Sequence, residues 1–344
     1  MPTRCTILPP YVVERLKTVA DAEIVRAAEH TLANDVLHRR TRRRLAGRPA
    51  STSIARVAVH RTIYTAHNGT SLPGLPVHIE GAGPTGDPAV DEAWAGLGAT
   101  WLLYDSAYRR NSLDDKGLPL VATVHFGRHY DNAFWNGEQM VFGDGDGVYF
   151  NRFTISVDII GHELTHGFTQ FTSRLGYAGQ PGALNESVSD CFGSMVKQMQ
   201  LGQTATQADW LIGQGLFTPA VNGVAVRSMK APGTAYNDPV LGRDPQPATM
   251  DGYLEDSADE GEVHANSGIP NHAFYLAATA IGGPTWTGAG QIWYDVLTGG
   301  KLRRSASFAD FAAATVEAAQ TRFGVTSKQA RAVETAWRKV KVVQ

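Results

Sequence analysis

Asp158-Ile159-Ile160-Gly161-His162-Glu163-Leu164-Thr165-His166 is the stretch on which the reading of this chain turns. It is answered downstream by Gly182-Ala183-Leu184-Asn185-Glu186-Ser187-Val188-Ser189-Asp190. Residues four apart on a helix share a face. His162 and His166 therefore point the same way, with Glu163 about a hundred degrees round and near enough to flank whatever they hold. Two imidazoles on one face make half of a zinc site, and a third protein ligand leaves a fourth position open for water, as a catalytic zinc requires. Glu186 fits the third ligand, and Glu163 fits the base that takes the water's proton. Glu186 and Asp190 are also four apart, so a second helix turns two carboxylates to one side. Asp190 and Asn185 then serve as acceptors that orient the two imidazole rings.

These residues resemble the thermolysin family. Gly161 to His166 and Asn185 to Asp190 carry the resemblance first. Asn132-Ala133-Phe134-Trp135-Asn136-Gly137 and Gly143-Asp144-Gly145-Asp146-Gly147 resemble that family's substrate-edge segment. Arg227-Ser228-Met229 and Asp259 to Gly268 resemble its later active-site segments. The match runs over roughly residues 60 to 340. It implies an α+β fold with a β-rich N-terminal lobe and an α-helical C-terminal lobe, the zinc helix lying between them on the floor of a cleft. It also implies a neutral zinc endopeptidase acting on peptide or protein substrates.

The resemblance assigns His264 and Tyr177 to the developing oxyanion, with Asp259 orienting His264. Asn132, Ala133 and Trp135 line the cleft edge and pair with substrate backbone as an added strand. Arg227 holds a substrate carbonyl. Phe150, Phe153, Ile159, Ile212 and Val226 form an apolar pocket, so cleavage is expected on the amino side of bulky hydrophobic residues. A catalytically silent relative would have lost Glu163, a metal ligand or His264, and none is lost. A narrower role, such as a processing peptidase or an aminopeptidase, fits the same residues.

The rest of the composition sets bounds. The chain has 344 residues, 43% hydrophobic and 19% charged, which suffices for two domains. With a net charge of -2 and a pI near 6.6, nothing global favours nucleic acid. Cys5 and Cys191 cannot make a disulfide framework, and Cys191, beside Asp190 in an apolar helix, reads as a small buried residue. No stretch reaches the roughly 18 apolar residues of a membrane span. Met1 to Pro10 lacks the continuous apolar run of a signal peptide. The expectation is a monomer without membrane or nucleic-acid partners, either cytoplasmic or exported by another route.

Residues 1–50 stand apart. Pro9-Pro10 can start a helix, and Tyr11 to Leu37 reads as one. His38 to Pro49 contains six arginines and reads as a solvated linker open to proteolysis. Cys5-Thr6-Ile7-Leu8-Pro9-Pro10-Tyr11 resembles the propeptide start of the protealysin-like subgroup, which implies a removable, inhibitory segment. Cys5 is a candidate zinc ligand in that state, or else a small apolar anchor.

Residues 51–156 read mainly as β, with Val57, Val59 and Ile63, then Leu120, Ala122, Val124 and Phe126, in alternation. One helix interrupts them, with Asp87 as N-cap and Pro88 at its first position. Residues 157–344 read as helical, with helices expected near 157–171, 185–200, 268–281, 286–298, 308–322 and 327–340. Ser307 and Asp310 form a capping box. His60, His67, His78, His125 and His129 read as structural.

The family resemblance also implies a paired calcium site beside the zinc helix. Asp158 is kept there and Asp209 is a second acid, but the remaining positions read Lys197, Leu211 and Gln214, and Val224 stands where another acidic ligand is expected. Calcium takes six to eight oxygens. The expectation is a reduced or absent calcium site, with the Lys197 ammonium between Asp158 and Asp209.

Overall fold

The computed structural model describes residues 6–45, 58–255 and 262–344, with backbone only for 37–45. It opens with two helices, α1 (Pro10–Leu16) and α2 (Ala22–Leu45), followed by β1 (Arg61–Thr65), β2 (Leu75–Ile79), α3 (Pro88–Tyr108), β3 (Leu120–Val124), β4 (Ala133–Trp135) and β5 (Met140–Phe142). These strands form one sheet in the order β2-β1-β3-β5-β4. β1, β3 and β5 run parallel, and β2 and β4 pair antiparallel at the two edges. Asp87 caps α3 as expected, accepting from the Ala89 amide at 2.9 Å.

The helical part follows: α4 (Val157–Phe171), α5 (Gly179–Gln200), two short hairpins β6–β7 (Leu211–Ile212, Arg227–Ser228) and β8–β9 (Asn237–Asp238, Gly242–Arg243), then α6 (Glu262–Asn266), α7 (Gly268–Ile281), α8 (Ala289–Thr298), α9 (Phe308–Phe323) and α10 (Lys328–Lys339). The expected capping box closes on Ser307 and Asp310. The fold is therefore α+β, with the β-rich part first and the helical part second.

Two features bring the metal-binding side chains together. α4 is buried on nearly every face, so its polar residues are sealed into the core rather than turned to water. Its crossing with α5 is close because glycines meet there. A methyl group on Gly193 would sit 2.4 Å from the Asp158 carbonyl oxygen, and one on Gly161 would sit 3.0 Å from the Gly193 Cα. That approach lets short side chains on α5 reach the imidazoles of α4.

The sequence reading needs correcting at several elements. The single helix expected from Tyr11 to Leu37 is two, broken at 17–21, where Asp21 restarts the helix by accepting from the Glu23 amide at 2.8 Å. The arginine run expected as a linker continues α2 to Leu45, consistent with the high helix propensity of arginine. β1 begins at Arg61, after Val59, while Val57 lies outside the described residues. α5 begins at Gly179 rather than 185, because Pro181 is tolerated in a first turn. α8 begins at Ala289, after a short 3-10 turn over Thr285–Thr287.

Candidate metal centre and active site

His162 and His166 project from one face of α4, and their Nε2 atoms lie 3.0 Å apart. Glu186, from α5, brings its carboxylate oxygens to 3.5 Å from each. All three are buried, and their ligating atoms lie within 4.8 Å of one another. The far ring nitrogens are occupied. His162 Nδ1 meets Asp190 Oδ1 at 2.7 Å, and His166 Nδ1 meets Asn185 Oδ1 at 2.9 Å and the Ser189 hydroxyl at 3.0 Å. The Asn185 amide is oriented by donation from its Nδ2 to the Leu175 carbonyl at 3.2 Å, so its oxygen faces the ring. Both Nδ1 atoms thus donate, which leaves lone pairs on the two Nε2 atoms. Two lone pairs and a carboxylate turned on one point in a buried site are the donor set of a bound cation, and two imidazoles with one carboxylate suit zinc.

Glu163 sits on the same turn, and its Oε2 accepts from the Trp135 backbone amide of β4 at 3.0 Å. Edge strand and metal helix are thereby joined through that carboxylate. Arg227, on β7, is buried and grips Asp190 with two parallel bonds, Nε to Oδ2 at 2.8 Å and Nη2 to Oδ1 at 2.9 Å. Burial works against ionisation of Asp190, but the Arg227 guanidinium and the His162 imidazole outweigh it and hold the carboxyl far below the usual carboxylate range.

On the opposite wall, α6 carries His264, whose Nε2 lies 3.5 Å from Glu186 Oε2. Burial is the main reason that the imidazole lies below the usual histidine range, despite the Glu186 charge. Tyr177, its ring centroid 6.4 Å from that of His264, donates its hydroxyl to the Glu186 carboxylate. Asp259, expected to orient His264, lies outside the described residues, as does Cys5.

The apolar residues expected behind the cleft are all buried. Ile212 pairs with Arg227, and the Val226 amide donates to the Ile212 carbonyl at 2.9 Å. A methyl on Gly213 would lie 2.8 Å from Val226 and 3.5 Å from Ile159. The Phe150 and Phe153 ring centroids lie 6.1 Å apart.

The N-terminal segment runs through this site. The Ile7 amide donates to the Ala133 carbonyl at 3.2 Å, and the Leu8 amide donates to Asn132 Oδ1 at 3.0 Å. The Ile7 carbonyl accepts from Arg227 Nη1 at 3.0 Å, and the Thr6 carbonyl accepts from His264 Nε2 at 3.0 Å. Ile7 and Leu8 are buried. One turn of α2 grips the same edge. Thr31 Oγ1 accepts from the Asp131 amide at 3.1 Å, while Asp35 accepts from the Tyr130 hydroxyl and from Asn132 Nδ2, the latter at 3.1 Å.

Sequence reasoning passed over Ser189, Thr31, Asp35 and Asn271, and it did not foresee that Thr6 to Leu8 enter the cleft. A signal for the last was present, since Ile7-Leu8 is a bulky apolar pair of the kind the expected pocket takes. His125, read as structural, holds two elements together. It sits between two carboxylates, Nδ1 to Asp144 Oδ2 at 2.8 Å and Nε2 to Asp87 Oδ2 at 2.9 Å.

Comparison with known proteins fits this geometry. Residues 60–170 match the family described as "Thermolysin metallopeptidase, catalytic domain", and residues 173–342 match "Thermolysin metallopeptidase, alpha-helical domain". The chain belongs to the thermolysin metallopeptidase family. It is similar to the solved "Precursor of Protealysin, Metalloproteinase from Serratia proteamaculans", with 50% identity and a TM-score of 0.90 over 98% of this chain and 99% of that one. It is 48% identical to an "Extracellular metalloprotease" of Pectobacterium carotovorum subsp. carotovorum over 98% of this chain and 96% of that protein. It is 51% identical to an "Extracellular minor metalloprotease" of Serratia marcescens over 57% of this chain and 55% of that protein. It is thus a protealysin-like, thermolysin-family metalloendopeptidase, and this family implies zinc for the His162, His166 and Glu186 grouping. The cytoplasmic location offered as one alternative from the sequence is overturned by these relatives, whose names are extracellular and point to secretion.

Proposed function

We propose that the chain is the latent form of a zinc endopeptidase that works outside the cell and cuts on the amino side of bulky hydrophobic residues. The convergence of His162 Nε2, His166 Nε2 and Glu186 on one buried point, with both Nδ1 atoms engaged, carries this reading. Zinc held there by His162, His166 and Glu186 supplies Lewis acidity towards a carbonyl and acidifies a water. Glu163 takes the proton of the attacking water and passes it to the leaving amine. His264 and Tyr177 donate to the developing oxyanion, with Asp259 orienting His264. Asn132, Ala133 and Trp135 bind substrate backbone along β4, and Arg227 holds the carbonyl after the scissile bond. Phe150, Phe153, Ile159, Ile212 and Val226 receive the hydrophobic side chain, at about 1–3 kcal/mol for a well-fitted group.

The bound N-terminal segment supports the subsite reading. Its Thr6 carbonyl lies at His264 and its Ile7 backbone lies between Ala133 and Arg227, so Thr6–Ile7 occupies the place of a scissile bond. Residues 1–50 therefore act as the chain's own inhibitor, 51–156 as the N-terminal lobe and 157–344 as the C-terminal lobe of a monomer.

Calcium is absent or reduced at the paired site. Lys197 Nζ lies 3.3 Å from Asp158 Oδ2, 2.8 Å from Asp209 Oδ2, and 3.4 Å from both the Leu211 carbonyl and Gln214 Oε1. An ammonium within an oxygen cage supports replacement of the divalent ion. Val224 is an exposed alkyl group and supplies no oxygen ligand from its side chain.

Glu163→Gln tests the central claim. It leaves the three ligands untouched, so with the N-terminal segment removed from both chains zinc content should match that of the parent while hydrolysis of a peptide library is lost. Parental turnover at full zinc content would refute the role of Glu163. The cleavage sites produced by the parent chain test the specificity.

A further inference from the structure

We infer that Asn271 is a positioning residue of the active site, acting through Asp190 on both the metal ligand His162 and the substrate anchor Arg227. The inference rests on the peptidase reading above. Asn271 lies in α7, is fully buried, and donates from Nδ2 to Asp190 Oδ2 at 2.8 Å. A carboxylate offers about four lone-pair sites. Asp190 uses all of them: Oδ1 accepts from His162 Nδ1 at 2.7 Å and Arg227 Nη2 at 2.9 Å, and Oδ2 accepts from Arg227 Nε at 2.8 Å and Asn271 Nδ2 at 2.8 Å.

The two Arg227 bonds require its guanidinium fork and the carboxylate to be coplanar. The His162 bond requires the same carboxylate to face the metal helix. One rotation of the Asp190 carboxylate satisfies both demands, and Asn271 is the donor that belongs to neither. Its amide fixes that rotation from a third direction. α7 starts two residues after α6, which carries His264, so the contact also ties the oxyanion wall of the cleft to the metal wall. Without Asn271 the carboxylate keeps three bonds and gains freedom to turn. Arg227 then presents Nη1 less accurately to the carbonyl that it holds, here the Ile7 carbonyl at 3.0 Å.

Arg227 holds that carbonyl before and during reaction, so its misplacement raises KM more than it lowers kcat. Looser support of His162 weakens zinc binding, typically by tenfold or more for a lost supporting contact. The test compares Asn271→Leu with the parent for peptide kinetics and for zinc affinity, the latter by competition with a chromophoric chelator. A KM about fivefold higher, kcat within about twofold, and zinc binding about tenfold weaker are expected. In an Arg227→Met background the same substitution should raise KM no further, because the two act through one contact. Asn271→Ser, which stops short of Asp190 and adds no bulk, should reproduce both shifts if the leucine variant folds poorly. Equal rises in KM with and without Arg227, or parental KM and zinc affinity in both variants whatever their melting temperatures, would overturn the inference. A parent chain that hydrolyses no peptide even after its N-terminal segment has been removed would instead sink the peptidase reading, and the zinc affinities of the variants would still decide the Asn271 contact.

Discussion

Removing the Lys197 ammonium should convert a self-contained protein into one that depends on an added cation. The Lys197 side chain is 12% exposed, Asp158 is fully buried and Asp209 is 35% exposed. Burial would push the Lys197 ammonium towards neutrality, yet the two carboxylates outweigh it and raise its pKa. In Lys197→Ala the Asp158 carboxylate keeps only Ser156 Oγ at 2.7 Å and the Gly213 amide at 2.9 Å. Stranding a buried charge costs about 3–5 kcal/mol. The half-exposed Asp209 arm adds under about 1 kcal/mol. Protonation of Asp158, whose pKa burial already raises against the pull of Lys197, limits the loss, so about 3 kcal/mol at neutral pH is expected. At about 2 °C per kcal/mol for a large domain, the melting temperature should fall by about 6 °C, and by less as the pH is lowered. The vacated cage retains both Asp209 oxygens, Asp158 Oδ2, the Leu211 carbonyl and Gln214 Oε1, which water can complete to a calcium shell. Thermal unfolding with millimolar calcium or a calcium-selective chelator is the assay. The parent should not respond to either, while Lys197→Ala should regain most of its loss with calcium and keep its zinc. A parent chain that loses several degrees in the chelator, or a variant as stable as the parent, would refute the assignment.

Three further outcomes are expected. His264→Ala should lower kcat more than it raises KM, because its hydrogen bond strengthens as the oxyanion develops; an effect confined to KM would contradict that role. His125 should make stability alkali-sensitive: its hydrogen bond to Asp144, helped by Asp87 and opposed by burial, pushes its pKa up to about 9. A raised folded-state pKa means that this contribution is complete below about 6.5 and is lost as pH rises through about 9, so His125→Gln should flatten the decline in melting temperature over that window. Incubation of the intact chain should release the N-terminal segment by cleavage after α2, between about Leu45 and Ser53, read by intact mass, and an unprocessed chain with full activity would argue against latency.

The metal centre was legible because its determinants are local. A four-residue spacing on each of two helices suffices to place His162, His166, Glu186 and Asp190, and no long-range knowledge is needed to see that their side chains can meet. The helices from 268 onward were legible for the same reason, with periodic apolar faces and a capping box to bound them. The break at 17–21 was not, because Thr18, Val19 and Ala20 interrupt no pattern and only the Asp21 side chain marks the restart. Asn271 and Thr6 to Leu8 could not be read from spacing at all. Their partners lie dozens to hundreds of residues away, and a lone buried asparagine or a short apolar run carries no periodicity. Lys197 was legible only because family resemblance pointed to a cation site there; its chemistry then followed from the oxygens around it.

If residues 1–50 are the chain's own inhibitor, as proposed, the placement of Thr6 to Leu8 in the cleft and the grip of Thr31 and Asp35 on the edge segment make inhibition a matter of concentration. While the chain is continuous, the segment competes with substrate as a tethered group, at an effective concentration in the millimolar range for a short connection. A cut after α2 changes none of these contacts, but it turns a unimolecular equilibrium into a bimolecular one. Nicked enzyme should therefore stay silent when crowded and awaken on dilution, or when the freed segment is itself digested. A chain released from a cell into a large volume would be switched on by the act of spreading out.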